Sequence, residues 1–144
     1  MKFVHYSTKK LGAFRFEPEL GVDVKPHRVL WVARDEEWKN FLEEIESDML
    51  KTYKYKYTFD IDMKKVIEVG THKQARRFED EFAVNEYDID WNKVRRETCM
   101  CGIYVKNALN HKLRMDFKWF ASFDVESIGI WDNSCIKSGT EEKL

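Results

Sequence analysis

Two carboxylates, Asp124 and Glu126, stand two residues apart at the mouth of a short apolar run, Ser127-Ile-Gly-Ile-Trp131. That run is short and β-branched, and it stops at Asp132-Asn133, which predicts a buried strand closed by an Asx-type turn. An extended backbone over 124–126 would point both carboxylates to the same side. Such a pair could stabilise a positive charge. The plainer alternative is two solvated loop carboxylates, because acidic side chains mostly sit on surfaces. His5 lies within Lys2-Phe-Val-His-Tyr-Ser7, a predicted first strand, where an imidazole serves either as a core or rim group or as part of a site. Cys99, Cys101 and Cys135 are too few for a disulfide framework and are expected as reduced thiols. Even with His111 added, their spacing matches no zinc signature, so no metal site is expected.

The elements that must hold these residues fit one domain. With 144 residues the chain is long enough to bury a sizeable core. Its 25 Lys and Arg balance 26 Asp and Glu, so it lacks the basic field that marks a nucleic-acid binder. No apolar run approaches the length of a membrane-spanning helix, and the residues after Met1 lack the apolar core of a signal peptide. The expectation is a cytoplasmic protein with a folded unit over 1–136 and a polar, frayed tail over 137–144.

Residues 8–26, punctuated by Gly12, Pro18, Gly21 and Pro26, read as a long loop able to cover a site. Val29–Ala33 is a strand, and Asp35 can cap a helix over 36–50 whose inner stripe is Trp38, Phe41, Leu42, Ile45 and Met49. Lys51–Met63 alternates, with Tyr53, Tyr55, Tyr57, Phe59, Ile61 and Met63 on one face, and predicts a strand with one buried side. Its Lys and Tyr residues interleave as in RNA-stacking proteins, but the polar face turns acidic after Thr58, so nucleic acid is not favoured. Val66–Val69 is a further strand. Thr71-His-Lys-Gln74 has the form of a capping box opening a helix over 72–84. Asp90 can cap a short helix to about Glu97, Cys101–Val105 is a strand, and 107–118 reads as loop or hairpin. The fold class expected is α+β.

Four strings in this order resemble the ADP-ribosyltransferase-type fold. Val4-His5-Tyr6-Ser7-Thr8 is similar to that family's first-strand His-containing string, and Leu30-Trp-Val-Ala-Arg-Asp-Glu-Glu-Trp38 to its strand leading into a helix. Tyr55 to Val69 resembles its paired middle strands. Thr98-Cys-Met-Cys-Gly-Ile103, followed by Glu126-Ser-Ile-Gly-Ile-Trp-Asp-Asn-Ser-Cys-Ile136, resembles its closing pair. The stretch Phe123–Asp132 also looks like small phage proteins of the superfamily, which keep a carboxylate at the position of Asp124 and not at that of Glu126.

The resemblance implies two small, curved antiparallel sheets with flanking helices, and NAD as cofactor. It implies NAD-dependent transfer by a small phage or host-modifying effector to a host macromolecule, or an inactive protein of the same fold that binds and blocks a host factor. It makes His5 a ligand of an NAD ribose, with Tyr6 and Ser7 beside it. Tyr55 or Tyr57 stands for the family tyrosine, and Trp38, Trp31 or Trp131 for an aromatic wall. Glu126 falls at the catalytic glutamate, where a fixed carboxylate stabilises the oxocarbenium-like ribose formed as the N-glycosidic bond breaks. Because Glu126 directly precedes the apolar strand, it is expected to be the rigid, catalytic carboxylate, with Asp124 organising the strand entrance.

Overall fold

The computed structural model describes residues 1–12, 16, 18–45 and 48–144, with backbone alone at 44, 45, 49 and 50. Strand β1 (Lys2–Ser7) is followed by β2 (Val22–Asp23) and β3 (Leu30–Ala33). Helices α1 (Asp35–Ile45) and α2 (Met49–Thr52) come next, then β4 (Tyr55–Ile61) and β5 (Val66–Val69). Helix α3 (His72–Phe82), β6 (Ile89–Asp90), α4 (Trp91–Thr98) and β7 (Gly102–Val105) follow. The chain ends with α5 (His111–Asp116), β8 (Ser127–Ile130) and β9 (Ile136–Lys143).

The protein is a single small α+β domain with two sheets. One is a two-stranded ribbon of β2 and β6; the other has seven strands in the order β5-β7-β8-β3-β1-β4-β9. Two small, wholly antiparallel sheets were the expectation. The larger sheet instead contains one parallel pair, β5 with β7. The cause is the intervening α3 and α4, since a helical crossover returns the chain in its original direction.

Alternation along the central strands divides their side chains between two cores. Val69, Ile103, Val105 and Val29 face α3 and α4, and pack with Phe78, Phe82, Trp91, Val94, Trp119 and Phe120. Leu30, Val32, Tyr104, Ile128 and Ile130 face the other way and meet Phe3, Ile61 and Cys135, with Phe59 and Ile136 against them. The sheet curves enough for Phe3 on β1 to reach Tyr104 on β7, ring centroids 5.8 Å apart, although β8 and β3 lie between them. Gly102 permits the close approach of β7 to β8, since a Cβ there would sit 2.5 Å from the Gly129 carbonyl.

Local signals act as the sequence predicts at several ends. Thr71 and Gln74 form a reciprocal capping box at α3, Asp90 caps α4 through Lys93 N, and the Asp132 side chain accepts from Ser134 N. Other expectations change. Residues 46 and 47 of the helix expected over 36–50 lie outside the described residues, as do the side chains of Ile45 and Met49. Lys51 and Thr52 belong to α2, so the alternating strand starts at Tyr55. The expected loop over 107–118 contains α5, capped by the Asn110 side chain on Leu113 N and anchored by the single buried residue Leu113. One apolar anchor gives too little periodicity to read.

The tail expected to fray is instead strand β9, paired with β4 from Ile61↔Ile136 to Tyr55↔Lys143. All its residues after Ile136 are exposed, so it carries no apolar alternation and owes its form to backbone pairing alone. Among the described residues no helix is long and apolar enough to cross a membrane.

The thiols expected to be reduced are joined as a Cys101–Cys135 disulfide, leaving Cys99 free and exposed. Spacing could not reveal the pair, because the sheet brings together residues 34 apart in sequence. The crosslink ties the start of β7 to the start of β9. Closing such a loop should contribute about 2–4 kcal/mol. A reductant, or Cys135→Ser, is therefore expected to lower the urea midpoint and melting temperature, while Cys99→Ser leaves both unchanged. Identical melts with and without reductant would contradict the crosslink.

Candidate functional site

Strand β1 pairs with β4 along its whole length, Lys2↔Asp60 to Ser7↔Tyr55, and β3 pairs with β8 at all four of its residues. Between themselves β1 and β3 share only the register Val4↔Ala33. Beyond that point the strands part. The His5 ring enters the gap, and its Nδ1 lies 2.9 Å from the Trp31 carbonyl oxygen. A cavity of about 330 Å³ opens there. It is lined by Val4, His5 and Tyr6 of β1, Trp31, Val32 and Ala33 of β3, and Trp38 and Phe41 of α1. Lys25, Tyr53, Phe123, Asp124, Val125 and Ser127 complete it.

The partner of His5 fixes its chemistry. A carbonyl oxygen only accepts, so the neutral imidazole must carry its proton on Nδ1 and present Nε2 as a bare acceptor. Burial lowers the pKa below the ordinary histidine value, and the opposing pull of the Trp31 bond is weaker. His5 is thus a neutral acceptor at pH 7, suited to a ligand hydroxyl.

One wall of the cleft is seated on β8. The Trp31 ring lies over Gly129, where a Cβ would come within 2.9 Å of it, and meets Phe123 edge-on at 5.7 Å. The Lys25 ammonium sits 5.6 Å from the Phe123 ring centroid, bringing a cation to the same place as the exposed Asp124 carboxylate. The other wall belongs to α1, where Trp38 and Phe41 stack at 5.7 Å. Asp35 opens this helix and anchors it: it accepts from the Tyr6 hydroxyl, from Lys56 Nζ at 2.9 Å and, as an ion pair, from Lys39 at 3.4 Å. Burial and the Asp35 carboxylate push the Tyr6 phenol above its usual range, so it remains a donor. Burial would raise the Asp35 carboxyl, but the bonds from Tyr6 and Lys56 hold it below its usual value.

The two carboxylates at the mouth of β8 are separated. Glu126 shares the parity of Ile128 and Ile130, whose side chains belong to the core on the far face, whereas Val125 and Ser127 line the cleft. Its carboxylate accepts from the Tyr104 hydroxyl at 2.8 Å and from Asn107 N at 3.0 Å, and it does not line the cavity. The expectation that both carboxylates point to one side fails because the backbone bends at residues 125 and 126 instead of running extended. Asp124, before the bend, lines the cleft.

His5, Tyr6 and Trp38 come together in the cleft; Ser7, Tyr55 and Tyr57 do not line it. Ser7 Oγ turns to the Lys9 carbonyl at 2.6 Å. Tyr55 and Tyr57 lie opposite Ser7 and His5 in the β1–β4 ladder, in a ring row running on to Phe59, and the buried Tyr57 accepts from Leu11 N at 2.7 Å. Trp131 is fully buried, its Nε1 donating to the Met100 carbonyl at 2.8 Å. Sequence reasoning missed Lys25, Phe41, Tyr53 and Phe123 as lining residues. Phe123 carried a signal in its adjacency to Asp124, Lys25 in its place on the loop expected to cover a site, and Phe41 in its helical spacing from Trp38, whereas Tyr53 carried none. Among the described residues no group of three or more His, Cys, Asp or Glu could hold a metal ion.

No protein-family model matches this chain, and neither the curated proteins nor the solved structures contain a match to it.

Because the folded-state pKa of His5 lies below its unfolded value, the unfolded chain takes up its proton first as the pH falls. The associated stability is fully present above about pH 6.5 and is lost below it. Urea melts between pH 8 and pH 5 should show this loss, and His5→Asn, which keeps a donor for the Trp31 carbonyl but does not titrate, should reduce it. An unchanged pH profile in that variant would show that His5 is not the neutral, buried group described.

Proposed function

We propose that the cleft between β1 and β3 binds NAD and that the protein is an ADP-ribosyltransferase-like effector acting on a host macromolecule, with Asp124 as its working carboxylate. The observation that carries this reading is His5: a neutral imidazole whose Nδ1 is committed to Trp31, leaving an acceptor for a ribose hydroxyl inside an aromatic-walled cavity. The cavity lies at the small end of the range for ligand sites, enough for one nucleoside half of a dinucleotide. Lys25 at its wall suits the diphosphate.

In the reaction, the bond from the ribose C1′ to the nicotinamide nitrogen breaks and its electron pair leaves with neutral nicotinamide. The cationic sugar left behind is stabilised by a nearby carboxylate until a nucleophile of the acceptor bonds to C1′ and gives up its proton. Asp124 lines the cleft and Glu126 does not, so the electrostatic role passes to Asp124.

A second reading, a catalytically silent protein that uses this fold to bind a host factor, is favoured by one observation. Glu126, the carboxylate aligned with the family's catalytic glutamate, is spent on Tyr104 and Asn107.

The test is incubation with labelled NAD and host lysate. Transfer, or NAD hydrolysis, should fall about a hundredfold or more in Asp124→Asn and persist in Glu126→Gln, which should instead lose about 1–3 kcal/mol of stability through its weakened bonds to Tyr104 and Asn107. The reverse pattern would return the chemistry to Glu126. Tight binding to a host protein, with no transfer or NAD turnover in any version, would favour the silent binder.

A further inference from the structure

Helices α1 and α3 have eleven residues each, yet they are held to the sheet by different means. Along α3, Ala75, Phe78 and Phe82 are buried at helical spacing. Among the described side chains of α1 only Leu42 is buried. Trp38 and Phe41, half-buried and stacked on each other, turn to the cavity of the cleft instead of to packed core. What fixes α1 to the sheet is polar and sits at its first residue, where Asp35 accepts from Tyr6 and Lys56. An element with few buried apolar contacts lies at the low-stability end of a fold and opens before the rest.

The indole of Trp38 adds a second observation. Its Nε1 is sealed from solvent and bonds to no described residue. Burying a donor without an acceptor forfeits its hydrogen bonds to water. Two other indoles avoid this, since Trp91 Nε1 donates to the Asp23 carbonyl at 3.0 Å and Trp131 Nε1 to the Met100 carbonyl at 2.8 Å. In its present position α1 therefore leaves a donor unmet while its two rings face an open cavity, and a displacement that unseals the Trp38 ring restores a bond to water.

We propose that α1 is a lid on the cleft, a rigid helix that pivots at Asp35 and carries Trp38 and Phe41 toward or away from the cavity. This goes beyond the nucleotide reading and does not depend on it. Swung outward, the lid hydrates the indole and widens the entrance. Drawn inward over an occupant, it buries the two rings and excludes water from the cleft. The chain itself places the pivot: Ala33, the last residue of β3, is buried, and Arg34 alone separates it from α1.

The experiment is hydrogen exchange of the indole protons in the whole chain, read by NMR. Trp119 is the internal control: its Nε1 is also without a bonded acceptor, but its ring is fully buried against Phe78 and Phe120. In the native protein Trp38 should exchange about tenfold faster than Trp119, or more. The main-chain amides of Phe41 and Leu42, which lie within α1, should stay slower than the Trp38 indole. Asp35→Asn, which removes the charge that holds Lys56, should raise the ratio of Trp38 to Trp119 exchange by roughly tenfold, the scale of one hydrogen bond to a charged group. Using the ratio cancels any general loss of stability in the variant. Equal exchange at Trp38 and Trp119 overturns the lid, because both protons would then await unfolding of the whole chain. Exchange of the α1 amides together with the indole also overturns it, since the helix would be melting instead of swinging. An unchanged ratio in Asp35→Asn overturns the pivot and the lid built on it.

Discussion

The hydrogen bond from the His5 imidazole to the Trp31 carbonyl does the work that a strand neighbour would ordinarily do. Strand β1 commits its backbone to β4 and meets β3 only at Val4↔Ala33, so the inner edge of β3 loses its partner partway along. A buried carbonyl left bare costs about 1–3 kcal/mol, and the ring of His5 removes that cost by reaching across the gap. The sheet can therefore split without stranding Trp31. The same bond fixes the tautomer and leaves Nε2 as an acceptor, so one side chain both closes the gap in the sheet and offers a free acceptor at the cleft.

Once the strands part, the walls of the cleft are held by different means. The Trp31 wall is rigid, since its ring rests on Gly129 and against Phe123, and β3 is paired with β8 throughout. The α1 wall is attached through polar groups, with Tyr6, Lys56 and Lys39 converging on Asp35. Asp35, Glu36 and Glu37 also place negative charge in the first turn of α1, where the helix dipole favours it. A rigid aromatic seat on the sheet thus faces a helix hung from one carboxylate.

Much of the fold is legible in the sequence because the elements that face a core carry their own period. The apolar runs at β3, β5, β7 and β8 announce buried strands, and Ala75, Phe78 and Phe82 mark the inner face of α3 behind a complete capping box. The elements that escape are those without a buried face. Strand β9 is exposed after Ile136, and Leu113 is the single buried residue of α5. Long-range juxtaposition escapes as well. Nothing in the spacing of Cys101 and Cys135 shows that the curved sheet brings them together, and Lys25 and Tyr53 reach the cleft from segments that read as loop and as core strand.

The candidate site shows where pattern reasoning stops. Counting two residues along an extended chain places Asp124 and Glu126 on one side, and proximity to the rigid strand then favours Glu126. Both steps assume that the strand geometry of Ser127–Ile130 continues backwards past the bend at 125–126. From Glu126 onward the alternation is strict. It puts Glu126 with Ile128 and Ile130 on the far face, where Tyr104 and the backbone of Asn107 bind the carboxylate and tie β8 to the turn after β7. Rigidity at that position serves the scaffold. Before the bend the parity no longer applies, and Asp124, free of the ladder, is the carboxylate that lines the cleft beside Phe123 and Lys25. The bend that spoils the sequence argument is thus the feature that brings a carboxylate to the cavity at all.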